Sequence, residues 1–387
     1  MKIVFINDHP FYVDDKSQVY TSGTLSADVW SRFTDNFGEL TVIGRGIKLE
    51  GMHNHKKASA ENVDFDLFYE IKGGLDYFKY KKNIEKKILP YIMNSDYVVL
   101  RLPSNIGIIA AALCKRYNRK YLVEVVGCAF DSLWYFGNKL GKLLAPISSI
   151  RNKKAIKGAS AVVYVTENYL QHRYPNDMPQ INASNVVLEN YEDQVLQNHL
   201  NYLKKDNFPK KIGMIGNIAL PYKGYEVLFK ALKNVKSDFQ LEIVGGGDAT
   251  WINQLIEKLD LKNKIILRGR INDRRKINEF LDSVDLYVQP SLTEGLPRSV
   301  IEAMSRACPV IASNAGGIPE LISKDYVYSL KDSDRLAILL NSILENLELL
   351  QEMSRDNFLK SKEYTFEVIN QRRYNFFSHI KDQLRNR

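Results

Sequence analysis

Short apolar, β-branched runs recur along this chain and alternate with stretches of helical periodicity. In the first half they are Lys2–Ile6, Leu40–Gly44, Tyr97–Arg101, Tyr121–Val126, Ala161–Val165 and Val186–Leu188. In the second half they are Ile212–Ile215, Leu241–Val244, Ile265–Leu267, Asp285–Gln289, Val310–Ala312 and Tyr326–Tyr328. Continuous apolar strands separated by helices predict parallel sheets covered on both faces. The series restarts once, after the polar stretch Glu189 to Lys210, which reads as a linker. The pattern predicts an α/β chain of two doubly wound, Rossmann-like domains facing a cleft, residues 1–190 and 208–367. A last helix, about 368–387, has apolar positions Ile369, Phe377, Ile380 and Leu384 at helical spacing. It packs either on its own domain or back on the first.

One stretch carries more chemistry than the rest. The strand ending at Pro290 runs into Glu294-Gly295-Leu296-Pro297-Arg298-Ser299, and a helix follows that contains Glu302. Free N–H groups at a helix start, aided by the helix dipole, favour an anion. Carboxylates beside such a site can accept hydrogen bonds from the hydroxyls of a polyol. Glu294 falls near the strand end, and Glu302 is placed in or near the first helical turn. Phosphate on the amides and sugar on the carboxylates is the natural pairing.

Glu294 and Glu302, seven residues between them, resemble the Glu-x7-Glu motif of retaining glycosyltransferases. More narrowly, the chain resembles glycosyltransferase family 4, the bacterial cell-wall and capsule sugar transferases. The likeness continues through Pro309–Ile322 with its Gly316-Gly317-Ile318-Pro319-Glu320 segment, and upstream through Gly216, Lys223-Gly224 and Gly245-Gly246-Gly247. The resemblance covers Lys211 to Ile322 strongly and the first half weakly. It implies the GT-B fold, a nucleotide-diphosphate sugar as donor, transfer with retention, and no metal or other cofactor. It makes Lys223 a ligand of the diphosphate and Glu294 a holder of sugar hydroxyls, both catalytic. Glu302 then takes the ribose, and Gly245, Gly247, Arg270 and Ile271 line the nucleotide. It also favours a last helix that crosses back to the first domain. The family often has an arginine one residue after the strand-end glycine; here that residue is Asn217, so Arg298 or Arg270 would supply the charge.

Three features of the first domain bear on the same cleft. Ser22-Gly23 offers amides to the diphosphate from the opposite side, or simply caps a helix. Gly127 to Tyr135 follows a strand and lacks the histidine common in relatives, which leaves Asp131 as the candidate for contacting donor sugar or acceptor. Phe130, Trp134 and Tyr135 either stack on an acceptor sugar or pack in the core. Glu124, within an apolar strand, reads as structurally paired. Asp64-Phe65-Asp66 resembles a metal-binding Asp-x-Asp only superficially and reads as a solvated turn.

Bulk properties narrow the class. No signal peptide or transmembrane run is evident, and Cys114, Cys128 and Cys308 are too sparse for a disulfide framework, so a cytoplasmic protein is expected. His9, His53, His55, His172, His199 and His379 form no metal pattern, and His53 and His55 read as a polar loop. The net charge of +9 concentrates between Arg101 and Ser160, where only Glu124 and Asp131 oppose eleven cations. Such a zone either attracts an acidic partner or is a solvated face. Lys79–Leu89 and Lys139–Lys157 mix basic and apolar residues and suit peripheral contact with an anionic membrane and a saccharide or lipid-linked acceptor. A sugar-nucleotide epimerase is the alternative on this architecture. A nicotinamide enzyme lacks its Gly-x-Gly-x-x-Gly fingerprint here, and a nucleic-acid module would leave the carboxylate–glycine loop unexplained.

Overall fold

Most of the apolar runs form strands, and the central ones, bounded by glycine, proline or polar residues, are buried on both faces. The computed structural model describes all residues except 24, 52–53, 75, 137–138, 187, 189–190, 206–207 and 386–387. Among the described residues the strands fall into two sheets. The first contains β1 (Lys2–Val13), β2 (Val19–Thr21), β3 (Glu39–Lys48), β4 (Lys56–Lys57), β5 (Val63–Phe68), β6 (Tyr97–Leu102), β7 (Tyr121–Val125), β8 (Ala161–Tyr164) and β9 (Gln180–Asn182). Its parallel part runs β5-β3-β1-β6-β7-β8-β9, and the antiparallel pair β2-β4 extends the upper half of β1. The second sheet is wholly parallel, in the order β12-β11-β10-β13-β14-β15. Its strands are β10 (Lys210–Ile215), β11 (Phe239–Val244), β12 (Ile265–Gly269), β13 (Leu286–Gln289), β14 (Val310–Ser313) and β15 (Val327–Tyr328). Strand order reverses between β10 and β13, and ligands of open α/β sheets bind at such a switch point.

Four sequence expectations need correction. β1 does not stop at Ile6; Asp8-His9-Pro10 shifts its register against β3, and pairing resumes to Val13. Asp64-Phe65-Asp66 is no turn but part of β5, with Asp66 bonded to Lys87 (2.7 Å) and Tyr91 (2.8 Å). Among the described residues, Val186 and Leu188 belong to no sheet strand. Leu188 forms an isolated bridge to Thr365, Val187 lies outside the described residues, and the edge strand is β9. The Glu189–Lys210 linker contains a helix, Gln194–Leu203, because Val195, His199, Leu200 and Leu203 repeat at helical spacing and are buried. Glu189, Asn190, Asp206 and Asn207 lie outside the described residues, as does His53.

The last helix, Phe366–Arg385, crosses back to the first sheet. Ile369, Phe376, Phe377 and Ile380 join the core of Phe5, Trp30, Phe33 and Phe37, and the Phe33 and Phe377 rings stack at 5.7 Å. The two crossings between the halves lie side by side: Leu188 N–H donates to Tyr364 and Phe366 N–H donates to Leu188. These paired crossings are the covalent connection between the two domains.

His199 is buried with no hydrogen-bond partner at either ring nitrogen, and burial together with Arg306 pushes its pKa down to about 4. The unfolded chain takes this proton near pH 6.5, the folded chain only near 4, so stability falls as pH drops through that window. At pH 5 the loss is about 2 kcal/mol. His199→Leu is expected to remove it, seen as a urea midpoint that changes less between pH 7 and 5 than in wild type.

Candidate active site

The loops after β10 and β13 meet at the switch point. After β10 the chain passes Gly216 and Asn217, forms a short turn at Pro221–Lys223, and enters a helix through Gly224. Gly224 has φ +85, and a Cβ there would lie 1.8 Å from the Pro290 carbonyl oxygen. Only glycine allows this close crossing. It brings Lys223 against Glu294: Nζ donates to Oε1 at 2.7 Å, both side chains mostly buried.

Glu294 is held by more than lysine. The Ser291 hydroxyl donates to Oε1 at 2.7 Å and the Gln289 amide at 3.2 Å. Gln289, fully buried, accepts from Tyr287 (2.8 Å) and Ser299 (3.0 Å) and donates to Ser291 (2.8 Å). Tyr287 in turn accepts from the Ile215 N–H, and burial raises its pKa so that it stays a neutral donor. A carboxylate with one ammonium and two neutral donors stays where β13 puts it, its second oxygen open to further donors. The sequence reading missed Gln289, Ser291 and Tyr287. A glutamine in the otherwise apolar Leu286–Val288 run was the available signal, since such a residue needs a buried partner.

The remaining predicted positions divide. Gly295, Leu296 and Pro297 form the loop, and Pro297 precedes the Arg298–Ser305 helix, whose N-cap supplies no side-chain acceptor to the first turn. Glu302 is one turn further along than expected and accepts from Arg298 Nε at 2.9 Å. Arg298, expected to supply the charge that Asn217 lacks, is thus paired with Glu302. Gly216 accepts from Tyr225 through its carbonyl (2.8 Å), Gly245 packs on that carbonyl, and Gly247 packs on the Asn217 amide oxygen. Arg270 is exposed beside Gly246, and Ile271 packs in the second domain. Ser22 and Gly23 lie on the rim of the first domain, where Gly23 N–H donates to Thr21 Oγ1 (2.9 Å), itself bonded to His9 (2.6 Å). Burial, then Arg101 and Arg45, lower the His9 pKa to about 4.

Asp131 does not join the Lys223–Glu294 pair. Its carboxylate accepts from the Tyr169 hydroxyl and lies 3.9 Å from Arg173. Phe130 and Trp134 stack at 5.3 Å, with Arg173 over the Phe130 ring. Glu124 is paired as expected, with Arg32 and Arg101 at 3.1 Å each.

The two domains touch across the cleft. A Cβ on Gly295 would come 2.4 Å from the Val126 carbonyl oxygen, Leu296 packs against both cores, and Phe136 faces Tyr222. Glu320 accepts from three consecutive N–H groups of the other domain: Glu167 (2.6 Å), Asn168 (3.0 Å) and Tyr169 (2.6 Å). Tyr169 then reaches Asp131, so Glu320 couples the second domain to Asp131. Charge-assisted bonds of this kind favour closure, though solvent access at the rim limits each. Glu320→Ala is expected to loosen the contact between the domains and to enlarge the particle in solution. Small-angle scattering checks this, and an unchanged radius would contradict the coupling.

The first domain also presents a groove of about 450 Å³ whose walls include Phe78, Ile108, Phe136, Leu140, Leu144 and Ile147. Asp8 lies at its polar end. Burial raises the Asp8 pKa against the bonds it accepts from Ile106, Asn105 and Ser104. Beside the groove the Lys139–Lys157 helix exposes Leu140, Leu143, Ile147 and Ile150 on one face. The other basic segment, Lys79–Leu89, does not: Ile84 and Ile88 face the core. Among the described residues no helix is long and apolar enough to cross a membrane.

Residues 197–358 match the family described as glycosyl transferases group 1. Over 373 residues the chain is 33% identical to protein CapJ of Staphylococcus aureus, covering 95% of this chain and 93% of that protein. The chain belongs to the group 1 glycosyl transferases. It is also 24% identical, over 74% of its length and 78% of the relative's, to a Campylobacter jejuni enzyme, the N,N'-diacetylbacillosaminyl-diphospho-undecaprenol alpha-1,3-N-acetylgalactosaminyltransferase. Among solved structures it resembles HepE of Anabaena in complex with UDP, with TM-score 0.66 and 17% identity over the whole of both chains. The two facing parallel sheets are the GT-B fold of that structure, and the glycosyltransferase is an enzyme. An epimerase has no support among these relatives.

Proposed function

We propose that this glycosyltransferase moves a sugar, with retention, from a nucleotide-diphosphate sugar to a saccharide or lipid-linked saccharide in bacterial surface-polysaccharide synthesis. The observation that carries the reading is the Lys223–Glu294 pair beside the start of the Arg298–Ser305 helix. The helix N–H groups and the Lys223 ammonium would hold the diphosphate and stabilise the charge that grows as it leaves, without a metal or other cofactor. Preorganised electrostatics of this type is usually the largest catalytic contribution. Glu294 would fix the sugar hydroxyls and Glu302 the ribose, and neither is assigned proton transfer. Gly216, Asn217, Gly245, Gly247, Arg270 and Ile271 would line the nucleotide, with Ser22 and Gly23 opposite. Asp131 would meet sugar or acceptor through closure. HepE, of the same fold, is described in complex with UDP, which supports such a donor.

The acceptor side favours a lipid-linked saccharide at a peripheral membrane site on the cytoplasmic face. The apolar face Leu140, Leu143, Ile147 and Ile150 is flanked by Lys139, Lys142, Arg151, Lys153, Lys154 and Lys157, and the Campylobacter relative's name includes a diphospho-undecaprenol. Apolar area plus attraction to anionic lipid governs such binding. Sedimentation with anionic vesicles at low salt is expected, and a Leu143→Glu, Ile147→Glu variant should stay in solution. A thermal-shift screen of UDP, GDP, CDP and their sugars, followed by product analysis, tests the activity. A new glycosidic bond of retained anomeric configuration supports it; an inverted product, or hydrolysis of the donor alone, contradicts it.

A further inference from the structure

A second pocket, of about 190 Å³, is lined in part by Asn185 and Phe366, near the crossings between the domains. Its walls come from three parts of the chain: Arg32 and Lys56 from the first domain, Arg274 and Arg298 from the second, and Arg373 from the last helix. Asp28 is the one acidic side chain among the lining residues. Beneath it Glu124 serves Arg32 and Arg101 with a single oxygen, Oε2, while Oε1 has no hydrogen-bond partner. Three guanidinium groups, Arg32, Arg101 and Arg373, therefore share one incompletely used carboxylate. Arg32 and Arg373 have side chains more than nine-tenths buried, and the Nε of each lacks a partner. Burial is the main force lowering the pKa of Arg32 to about 9 and of Arg373 to about 10, with the neighbouring arginines adding to it.

A buried cation without full compensation costs free energy, and proteins pair such charges or bind a counter-charge. Arg373 satisfies only part of its need, through the carbonyls of Ala183 and Ser184 and the Asn185 side chain. The pocket holds roughly six waters by volume, which is room for one tetrahedral oxyanion and some of its hydration. Arginines fork onto such oxygens with good geometry.

We propose that this pocket is a second anion site, separate from the donor diphosphate loop, which takes a phosphate-type dianion and draws the two domains and the last helix together. Its cations come from both domains and the last helix, so an anion bound there favours the arrangement that brings them together, by differential contact. The site is thus a point at which phosphate, or a phosphorylated small molecule, adjusts the affinity for the donor. It rests on the donor reading in that Arg298 and Gly23, both assigned to the donor, border this pocket as well.

Inorganic phosphate is the probe, on the full chain at constant ionic strength set with chloride. Phosphate is expected to raise the melting temperature saturably, and to do so with saturating UDP present, since ligands of the native state stabilise it by mass action. Arg373 and Arg32 anchor the fold, so the rim variants Arg274→Gln and Lys56→Gln are used. Each should weaken phosphate binding on the order of tenfold while leaving the shift caused by UDP intact. Phosphate arms with glucose 6-phosphate separate free phosphate from a phosphorylated sugar as the better occupant. The proposal is overturned if phosphate gives no saturable shift, if the rim variants respond as wild type does, or if phosphate and UDP exclude each other. A missing UDP shift with the phosphate shift preserved would sink the donor reading and leave this site standing.

Discussion

Lys223→Ala is expected to lower the rate of sugar transfer by about 10²–10³-fold with the fold intact. The size follows from the job proposed for the ammonium, which is to face negative charge that grows only as the diphosphate leaves. The fold should survive because the lysine is not the only partner of Glu294. Ser291 at 2.7 Å and Gln289 at 3.2 Å remain to hold the carboxylate, which keeps access to water. Donor affinity should fall less than turnover, because a bound diphosphate still has the helix N–H groups. Steady-state kinetics with circular dichroism as the folding control checks this. Turnover within about threefold of wild type would remove Lys223 from the mechanism.

Gly224→Ala should act on both stability and rate. The added Cβ would sit 1.8 Å from the Pro290 oxygen and 2.5 Å from its carbon, in a backbone conformation of φ +85. The left-handed conformation alone costs roughly 1–2 kcal/mol for alanine. Backbone rather than a flexible side chain must then yield, so a total of about 2–4 kcal/mol is expected. Pro290 precedes Ser291 and Glu294, so the same displacement carries the carboxylate network with it. A shift of about 1 Å at such a site can cost on the order of 100-fold in rate. Calorimetry and kinetics on one sample measure both. An alanine variant with the stability and turnover of wild type would show that the close crossing is not what positions the site.

The contrast between what the sequence revealed and what it hid has a physical basis. Lys223 was legible because it follows a strand end and a glycine, and Glu294 because it follows a strand end and precedes one; strand ends are where parallel sheets expose backbone. Their pairing at 2.7 Å needed the structure, since it depends on how Gly224 crosses Pro290. The Gln194–Leu203 helix was hidden by its many polar residues, although Val195, His199 and Leu203 carried the helical period. Glu320 stood in a recognisable segment, yet its bonds to residues 167–169 join two domains and have no local signature. The same holds for Arg373, which belongs by sequence to the last helix and by contact to the chain at 183–185. Asp131 was placed correctly after β7, but its partners Tyr169 and Arg173 lie about forty residues on, and they set where the carboxylate points.

In the proposed reaction the loop from Glu294 to Ser299, with Lys223 beside it, grips the diphosphate of an activated sugar. A crystal structure of the enzyme with a tightly binding nucleotide-diphosphate sugar tests it most directly. The β-phosphate is expected within hydrogen-bond reach of the helix N–H groups and Lys223 Nζ, with sugar hydroxyls on Glu294. A donor bound elsewhere, with Lys223 still closed onto Glu294 and the helix start empty, would contradict it.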